Sequence, residues 1–456
     1  MALALAVGCG ARSTLEVSEE GVSSSGAGAG SSSSVTTSGT GGGGGRLPVV
    51  PCTYALSGDP QIAVSFPDRH AISAQVITTN GDPSGGPLEV AVEYIASGGS
   101  STLHPENPIT RFELQPATAD LIPGATVVAG IESHSYGLLA RGRGRLALAW
   151  YTDAPGLNGI AVRTVDVANN ALGGVNQLEP GSFSVSSIVA GPSLMGGQLG
   201  GPGFAVAWRR PADPHEPTTR AMAILDADAT MVGGPYDVTP ALDSPPSPSL
   251  IWTGESYLIA NAYGAECPPG EPLCVADALT IHRYEPPVPD AEPIVAVTSI
   301  PVGDAARRPR LLHYGGRTLV LWEESVGDGR ELRSAELDTL GNVVRGPLTL
   351  TELQSEDRWT AHASDQGIAL AYLRPSGDDG PPDQPGAAHL HVFNVDAEGS
   401  ILATVPPIPT TLPQGAAPSI ASLGGEPRSL AIAWSGLGPE GLDVSYLARL
   451  RCADGS

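Results

Sequence analysis

An all-β chain made of repeated four-stranded units is the fold class this sequence predicts, and three observations predict it. The first is composition. The chain has 456 residues, of which 58 are Gly and 43 are Pro, while charged residues are 16%. Many Val, Thr, Gly and Pro with few helix formers favour short strands joined by turns over helices or a coiled coil. The second is a hydrophobic fraction of 41%, enough for a real core. The third is a short strand pattern, alternating small and larger apolar residues and closing on an aromatic, that recurs along the chain.

Seven copies of that pattern stand out. They are Val90-Ala91-Val92-Glu93-Tyr94, Leu146-Ala147-Leu148-Ala149-Trp150, Phe204-Ala205-Val206-Ala207-Trp208 and Tyr257-Leu258-Ile259-Ala260-Asn261. Thr318-Leu319-Val320-Leu321-Trp322, Ile368-Ala369-Leu370-Ala371-Tyr372 and Leu430-Ala431-Ile432-Ala433-Trp434 complete the set. Their last residues are spaced by 56, 58, 53, 61, 50 and 62 positions. The fourth copy departs from the rest by ending on Asn261.

Each copy brings neighbours. An apolar segment precedes it, as in Pro248-Ser249-Leu250-Ile251-Trp252 or Pro309-Arg310-Leu311-Leu312. A third strand and a turn follow, with Asp at the turn: Asp166, Asp226, Asp338 and Asp396. Asp with a nearby Gly, as in Asp338-Thr339-Leu340-Gly341, is what a tight hairpin wants. A fourth strand such as Pro347-Leu348-Thr349-Leu350-Thr351 closes the unit. Four strands in 50 to 62 residues is a β-propeller blade, so the prediction is seven blades, with six if one copy is misassigned. Ala on one side of the repeated strand and Leu, Val or Ile on the other lets neighbouring blades interdigitate, and the closing aromatics are expected between blades.

The seventh unit lacks a fourth strand. Asp443 to Cys452 is its third, and the chain stops at residue 456. Spare sequence lies ahead of the first copy, Leu47 to Phe66, and is expected to supply the missing outer strand and close the ring. Polarity follows: the leading segment enters on the face of the turns after strand three. The opposite face carries the connections between strands two and three, at 97–108, 209–218, 264–277, 325–330, 374–387 and 435–442. Binding residues commonly sit on such loops over a rigid scaffold.

Met1 to Cys9 reads MALALAVGC, and Leu5-Ala6-Val7-Gly8-Cys9 resembles the lipobox of bacterial lipoproteins. The resemblance implies a lipidated Cys9, and hence an exported chain anchored to the cell envelope, at the outer membrane or cell surface. Residues 10–46 are dominated by Ser, Gly, Thr and Ala and end in Gly41 to Gly45 and Arg46, a composition that cannot offset its ordering entropy and so reads as a tether. The domain reading is thus 1–9 signal-like, 10–46 tether and 47–456 propeller. From 47 onward the chain resembles the exported bacterial repeat propellers in architecture. Beyond Cys9, four cysteines remain, an even number suited to disulfides outside the cytoplasm. Three pairings are open. Cys267 with Cys274 is a local loop staple, which leaves Cys52 for Cys452 across the ring closure.

Chemistry is sparse. Net charge is −24, and all 24 basic residues are Arg, which argues against a nucleic-acid partner. No Gly-x-Ser-x-Gly elbow or phosphate loop is present. His389-Leu390-His391 puts two imidazoles on one strand face, half of a metal site without its remaining ligands. The Asp378-Asp379-Gly380-Pro381-Pro382-Asp383 loop could hold calcium but lacks the alternating acid spacing of calcium loops. No cofactor is predicted. Arg141-Gly142-Arg143-Gly144-Arg145 is a basic hairpin in an acidic chain. The functional expectation is a monomeric, lipid-anchored scaffold that binds an extracellular protein or glycan on its long-loop face. The second expectation is an exported hydrolase or lyase with carboxylates at the channel mouth.

Overall fold

The computed structural model describes residues 53–64, 69–77, 88–96, 108–114, 121–128, 138–210, 220–238, 248–263, 278–286, 293–375, 387–411, 417–438 and 443–453, apart from short turn segments within these ranges. Cys9, the 10–46 tether, Cys52, Cys267, Cys274 and the Asp378–Asp383 loop lie outside the described residues.

Seven antiparallel sheets follow one another along the chain. Blade 1 is β3 (Arg69–Ile77), β4 (Leu88–Ala96), β5 (Pro108–Leu114) and β6 (Leu121–Val128). Blade 2 is β7 (Leu138–Gly142), β8 (Arg145–Ala154), β9 (Leu157–Asp166) and β10 (Leu172–Pro180). Blade 3 is β11 (Ser184–Met195), β12 (Gln198–Arg209), β13 (Arg220–Asp226) and β14 (Met231–Val238). Blade 4 is β15 (Ser249–Trp252), β16 (Tyr257–Tyr263), β17 (Ala278–Tyr284) and β18 (Ile294–Pro301). Blade 5 is β19 (Asp304–Tyr314), β20 (Arg317–Val326), β21 (Gly329–Leu337) and β22 (Val343–Leu353). Blade 6 is β23 (Arg358–Ser364), β24 (Gly367–Pro375), β25 (Ala387–Val395) and β26 (Ile401–Thr411). Blade 7 is β27 (Ser419–Ser422), β28 (Ser429–Leu437) and β29 (Asp443–Ala453), completed by β1 (Thr53–Leu56) and β2 (Gln61–Val64). The first strand of each blade touches the first strand of the next, and β27 touches β3, so the ring is closed and seven-bladed.

Closure works as the chain arithmetic predicts, with one difference. Two short strands replace the single expected one. β1 pairs with the end of β29, Thr53 opposite Ala453, and β2 pairs with its start, Gln61 opposite Leu447. The break is local: Gly58 takes φ +80°, a conformation L side chains rarely adopt, and Pro60 has no N–H to give a ladder. Cys452 is in a disulfide whose partner lies outside the described residues. The 325–330 connection also differs from expectation, being a tight hairpin in which Val326 faces Gly329.

The alternating repeat packs as its residue sizes require. In blade 3, Phe204, Val206 and Trp208 share a buried cluster with blade 2, while Ala205 and Ala207 face blade 4. In blade 6, Ile368 and Leu370 pack on blade 5, and Ala369 and Ala371 on blade 7. Large residues thus reach back to the previous blade and Ala receives the next one. Trp208, Trp322 and Trp434 are essentially inaccessible, as inter-blade packing predicts. The turn aspartates act through their side chains: Oδ1 of Asp166, Asp226, Asp338 and Asp396 each accepts backbone N–H bonds two to four residues on.

Candidate functional site

Two regions of the propeller concentrate polar side chains: the inner ring around the channel and the long-loop rim between blades 5 and 6. The inner ring is stitched by hydrogen bonds. Ser419 Oγ accepts from the Val76 amide (3.2 Å), Gln75 Oε1 from Leu139 (3.2 Å), Ser187 Oγ from Leu250 (3.2 Å) and Ser249 Oγ from Leu311 (2.9 Å). Arg310 Nη1 donates to Thr360 Oγ1 (2.6 Å), and His362 Nε2 lies 2.6 Å from Ser422 Oγ. These bonds cross six of the seven junctions. Each satisfies a group that would be costly to bury unpaired. The chain signalled these positions faintly: Ser249, Arg310 and Ser419 each follow Pro and precede an apolar residue.

Two buried histidines, His362 in this framework and His282 on the third strand of blade 4, are held neutral. Burial and the nearby Arg310 lower His362 to about 3, and burial lowers His282 of β17 to about 4. Both lie below the ordinary value of 6.5, so the unfolded chain takes up the protons first as pH falls. The stability they support is complete above pH 6.5 and is lost toward pH 3 to 4. Urea midpoints should therefore fall on acidification through this window. His362→Gln should lessen the fall by about 1.4 kcal/mol per pH unit below about 6.5. An unchanged slope in that variant would refute the assignment.

The second region begins at β20. Glu323 is wholly buried and faces blade 6. Its carboxylate accepts from Arg308 Nη1 (2.8 Å), Arg330 Nη1 (2.6 Å) and the Trp359 indole Nε1 (2.6 Å). Arg308 sits on the first strand at φ +50°, an unusual conformation for a residue with a side chain. On the other side of β20, Glu324 accepts from the Trp322 indole (3.0 Å) and the Gly303 amide (2.8 Å) and pairs with Arg333 (3.3 Å). Asp357, just before β23, is gripped by Arg374 Nε (3.1 Å) and Nη2 (2.6 Å) and by the Gln354 amide.

A half-buried shelf rests on this foundation. Cross-strand register pairs Tyr372 with His391 and Arg374 with His389, so all four share one face of blade 6. The Tyr372 and His391 rings stack 4.8 Å apart at 11°, and the Arg374 guanidinium lies 4.8 Å from the Tyr372 ring centre. Burial chiefly, then Arg374 and His389, hold His391 below the ordinary imidazole range, against the pull of Asp357. Burial raises the Tyr372 hydroxyl. The pair therefore presents as neutral, flat and amphipathic at neutral pH, with a paired cation beside it. Such a surface suits stacking against a sugar face or a planar side chain.

The predicted site residues distribute as follows. His389 and His391 are neighbours, with ring centres 6.3 Å apart, and no group of three or more metal-ligating side chains exists among the described residues. In the basic hairpin, Arg141 is buried and Arg145 is held by Asp166 (3.1 Å) and Asp228 (3.4 Å), so it spans blades 2 and 3. Glu323, Arg308, Arg330, Trp359, Asp357 and Arg374 were not singled out by sequence, because five different strands and one connection bring them together. Among the described residues, no helix is long and apolar enough to cross a membrane.

No family model matches the chain, and no curated protein matches it. Solved structures similar to it include a protein of unknown function from Dyadobacter fermentans DSM 18053, 9% identical at a TM-score of 0.45, covering 89% of this chain and 100% of that one. The Dos1 propeller is 11% identical at 0.41, covering 87% of this chain and 94% of that one. Trypanosoma rangeli sialidase is 12% identical at 0.38, covering 88% of this chain and 60% of that one.

Proposed function

We propose that this propeller is a binding scaffold whose long-loop face engages an extracellular protein or glycan, with the Tyr372–His391 shelf as one of its contact points. The observation that carries the reading is the shelf itself, a flat amphipathic surface left half-open while every buried acid beneath it is tied to Arg. Stacking platforms work when they are rigid, and the Glu323 and Asp357 networks supply that rigidity. The strand directions fit this reading: β29 begins at the long connection, Asp443 opposite Leu437, and ends at Ala453 opposite Thr53, so the chain enters on the face opposite the long connections. A lipid on Cys9 and the 10–46 leash would then leave the shelf pointing away from an envelope membrane. A Cys452 disulfide fits an exported chain, and we assign its partner as Cys52, with Cys267 and Cys274 as the second pair.

The second reading, an exported hydrolase or lyase, would draw on the same acids, Glu323 and Asp357. A catalytic acid must reach substrate, however, and both carboxylates are committed to guanidinium groups. Glycan-array binding with the folded chain tests the two together. Binding that Tyr372→Ala reduces at least tenfold, with the glycan recovered intact, supports the scaffold. Glycan cleavage that Glu323→Gln abolishes would replace it with the enzyme.

A further inference from the structure

The junction between blades 3 and 4 departs from a packing pattern shared by four other junctions of the ring. In blades 2 to 6 the third strand offers one residue near the long-loop edge, directly opposite the residue that follows the repeat's closing position; in blade 7 that residue is Ser445. That residue is Ile160 in blade 2, Leu279 in blade 4, Leu332 in blade 5 and Leu390 in blade 6. The closing aromatic of the following blade packs in the same cluster each time: Trp208 with Ile160, Trp322 with Leu279, Tyr372 with Leu332 and Trp434 with Leu390. Between blades 3 and 4 the same two positions hold Arg220 and Asn261.

Both are enclosed. Arg220 is 1% exposed and Asn261 0%. Arg220 lies on the face that carries Met222 and Ile224 toward blade 4. Asn261 alternates with Tyr257, whose hydroxyl donates to Pro192 of blade 3 (2.8 Å), so it looks back toward Arg220. Nη1 and Nη2 of Arg220 are both buried without a hydrogen-bond partner. Its cross-strand neighbour is another cation, Arg209. Burial first, then Arg209, lower the Arg220 guanidinium to about 9, which still leaves it charged at neutral pH. Two unmatched donors on a buried cation, beside a like charge, are a costly arrangement that an opposite charge would relieve. A water could accept a hydrogen bond there but could not balance the charge.

We propose that the blade 3–blade 4 junction binds a small monovalent inorganic anion of the halide kind on the Arg220 guanidinium, with Asn261 in place of an aromatic to leave it room. Because Arg220 and Asn261 are almost wholly enclosed, the smallest inorganic anions are the candidates. The anion is structural, a counter-charge that replaces the apolar–aromatic contact seen at those four junctions.

The test is thermal unfolding of the full chain at constant ionic strength, with chloride or bromide exchanged for gluconate. The expected result is a saturable rise in melting temperature with either halide. It corresponds to about a hundredfold gain in the folded-to-unfolded ratio at a halide concentration about 100 times its Kd. The double substitution Arg220→Leu and Asn261→Trp restores the pair used elsewhere in the ring and should remove the halide dependence while the protein stays folded. If that variant fails to fold, anomalous scattering from bromide-soaked crystals of the unaltered protein should still show a peak beside Arg220. Halide-independent melting, or no bromide at Arg220, overturns the proposal. So would halide independence with a loss of stability in Asp213→Asn or Glu216→Gln, which would make the chain itself the counter-charge.

Discussion

Glu323→Ala should lower the unfolding free energy by about 3–5 kcal/mol, the cost of removing one partner from a buried ion cluster. The side chain is 1% exposed, so solvent cannot take over for the carboxylate. Its removal strands Arg308, Arg330 and the Trp359 indole at once. Glu323→Gln keeps an acceptor oxygen and should cost less than the Ala variant. Urea titration followed by tryptophan emission reads both effects, because Trp359 loses its hydrogen bond in the Ala variant. A midpoint within about 1 kcal/mol of the unaltered protein would mean that the cluster is an exposed-type pair of little worth. Arg308→Ala should cost less than Glu323→Ala, since Arg308 is 24% exposed and its removal relieves no burial.

Opening the ring should have the other large effect. Deleting residues 47–64 removes β1 and β2 and exposes the edge of β29. Tyr54 goes with them, 2% exposed and packed in the cluster that holds Leu390, Trp434 and Leu450. Loss of a buried aromatic of this kind alone costs about 3–5 kcal/mol. The bare strand edge is then a template for association. Size-exclusion chromatography of the truncated chain should show higher oligomers, with a lowered urea midpoint. The assigned bridge adds to closure. A Cys52–Cys452 disulfide encloses about 400 residues, for which the chain-entropy model gives on the order of 5 kcal/mol as an upper value. Non-reducing peptide mapping should recover Cys52 joined to Cys452, and reduction should lower the midpoint. A Cys452 peptide joined to Cys267 or Cys274 instead would refute the assigned pairing.

The framework was legible because it rests on local rules repeated seven times. Alternating Ala with larger apolar residues reports two faces of one strand, and Ala205 and Ala207 do face blade 4 while Val206 and Trp208 face blade 2. Asp at the third turn acts within four residues of itself, so its role needs no fold to be seen. The missing last strand showed as arithmetic, although its division at Gly58 and Pro60 into two pieces was not anticipated. The rim was a different matter. Arg308, Glu323, Arg330 and Trp359 are ordinary residues in four separate strands, and nothing in their spacing pairs them.

Asn261 shows where the boundary lies. The repeat marked it as a departure, yet its counterpart Arg220 comes 41 positions earlier, in a third strand with no signature of its own. Sequence alone determined the propeller architecture, the direction of the ring and the element that closes it, and narrowed the blades to seven or six, since these follow from side-chain size and turn chemistry between near neighbours. Tertiary structure alone decided which charges meet, because ion pairing depends on burial and on distances across blade junctions, and a linear pattern holds neither.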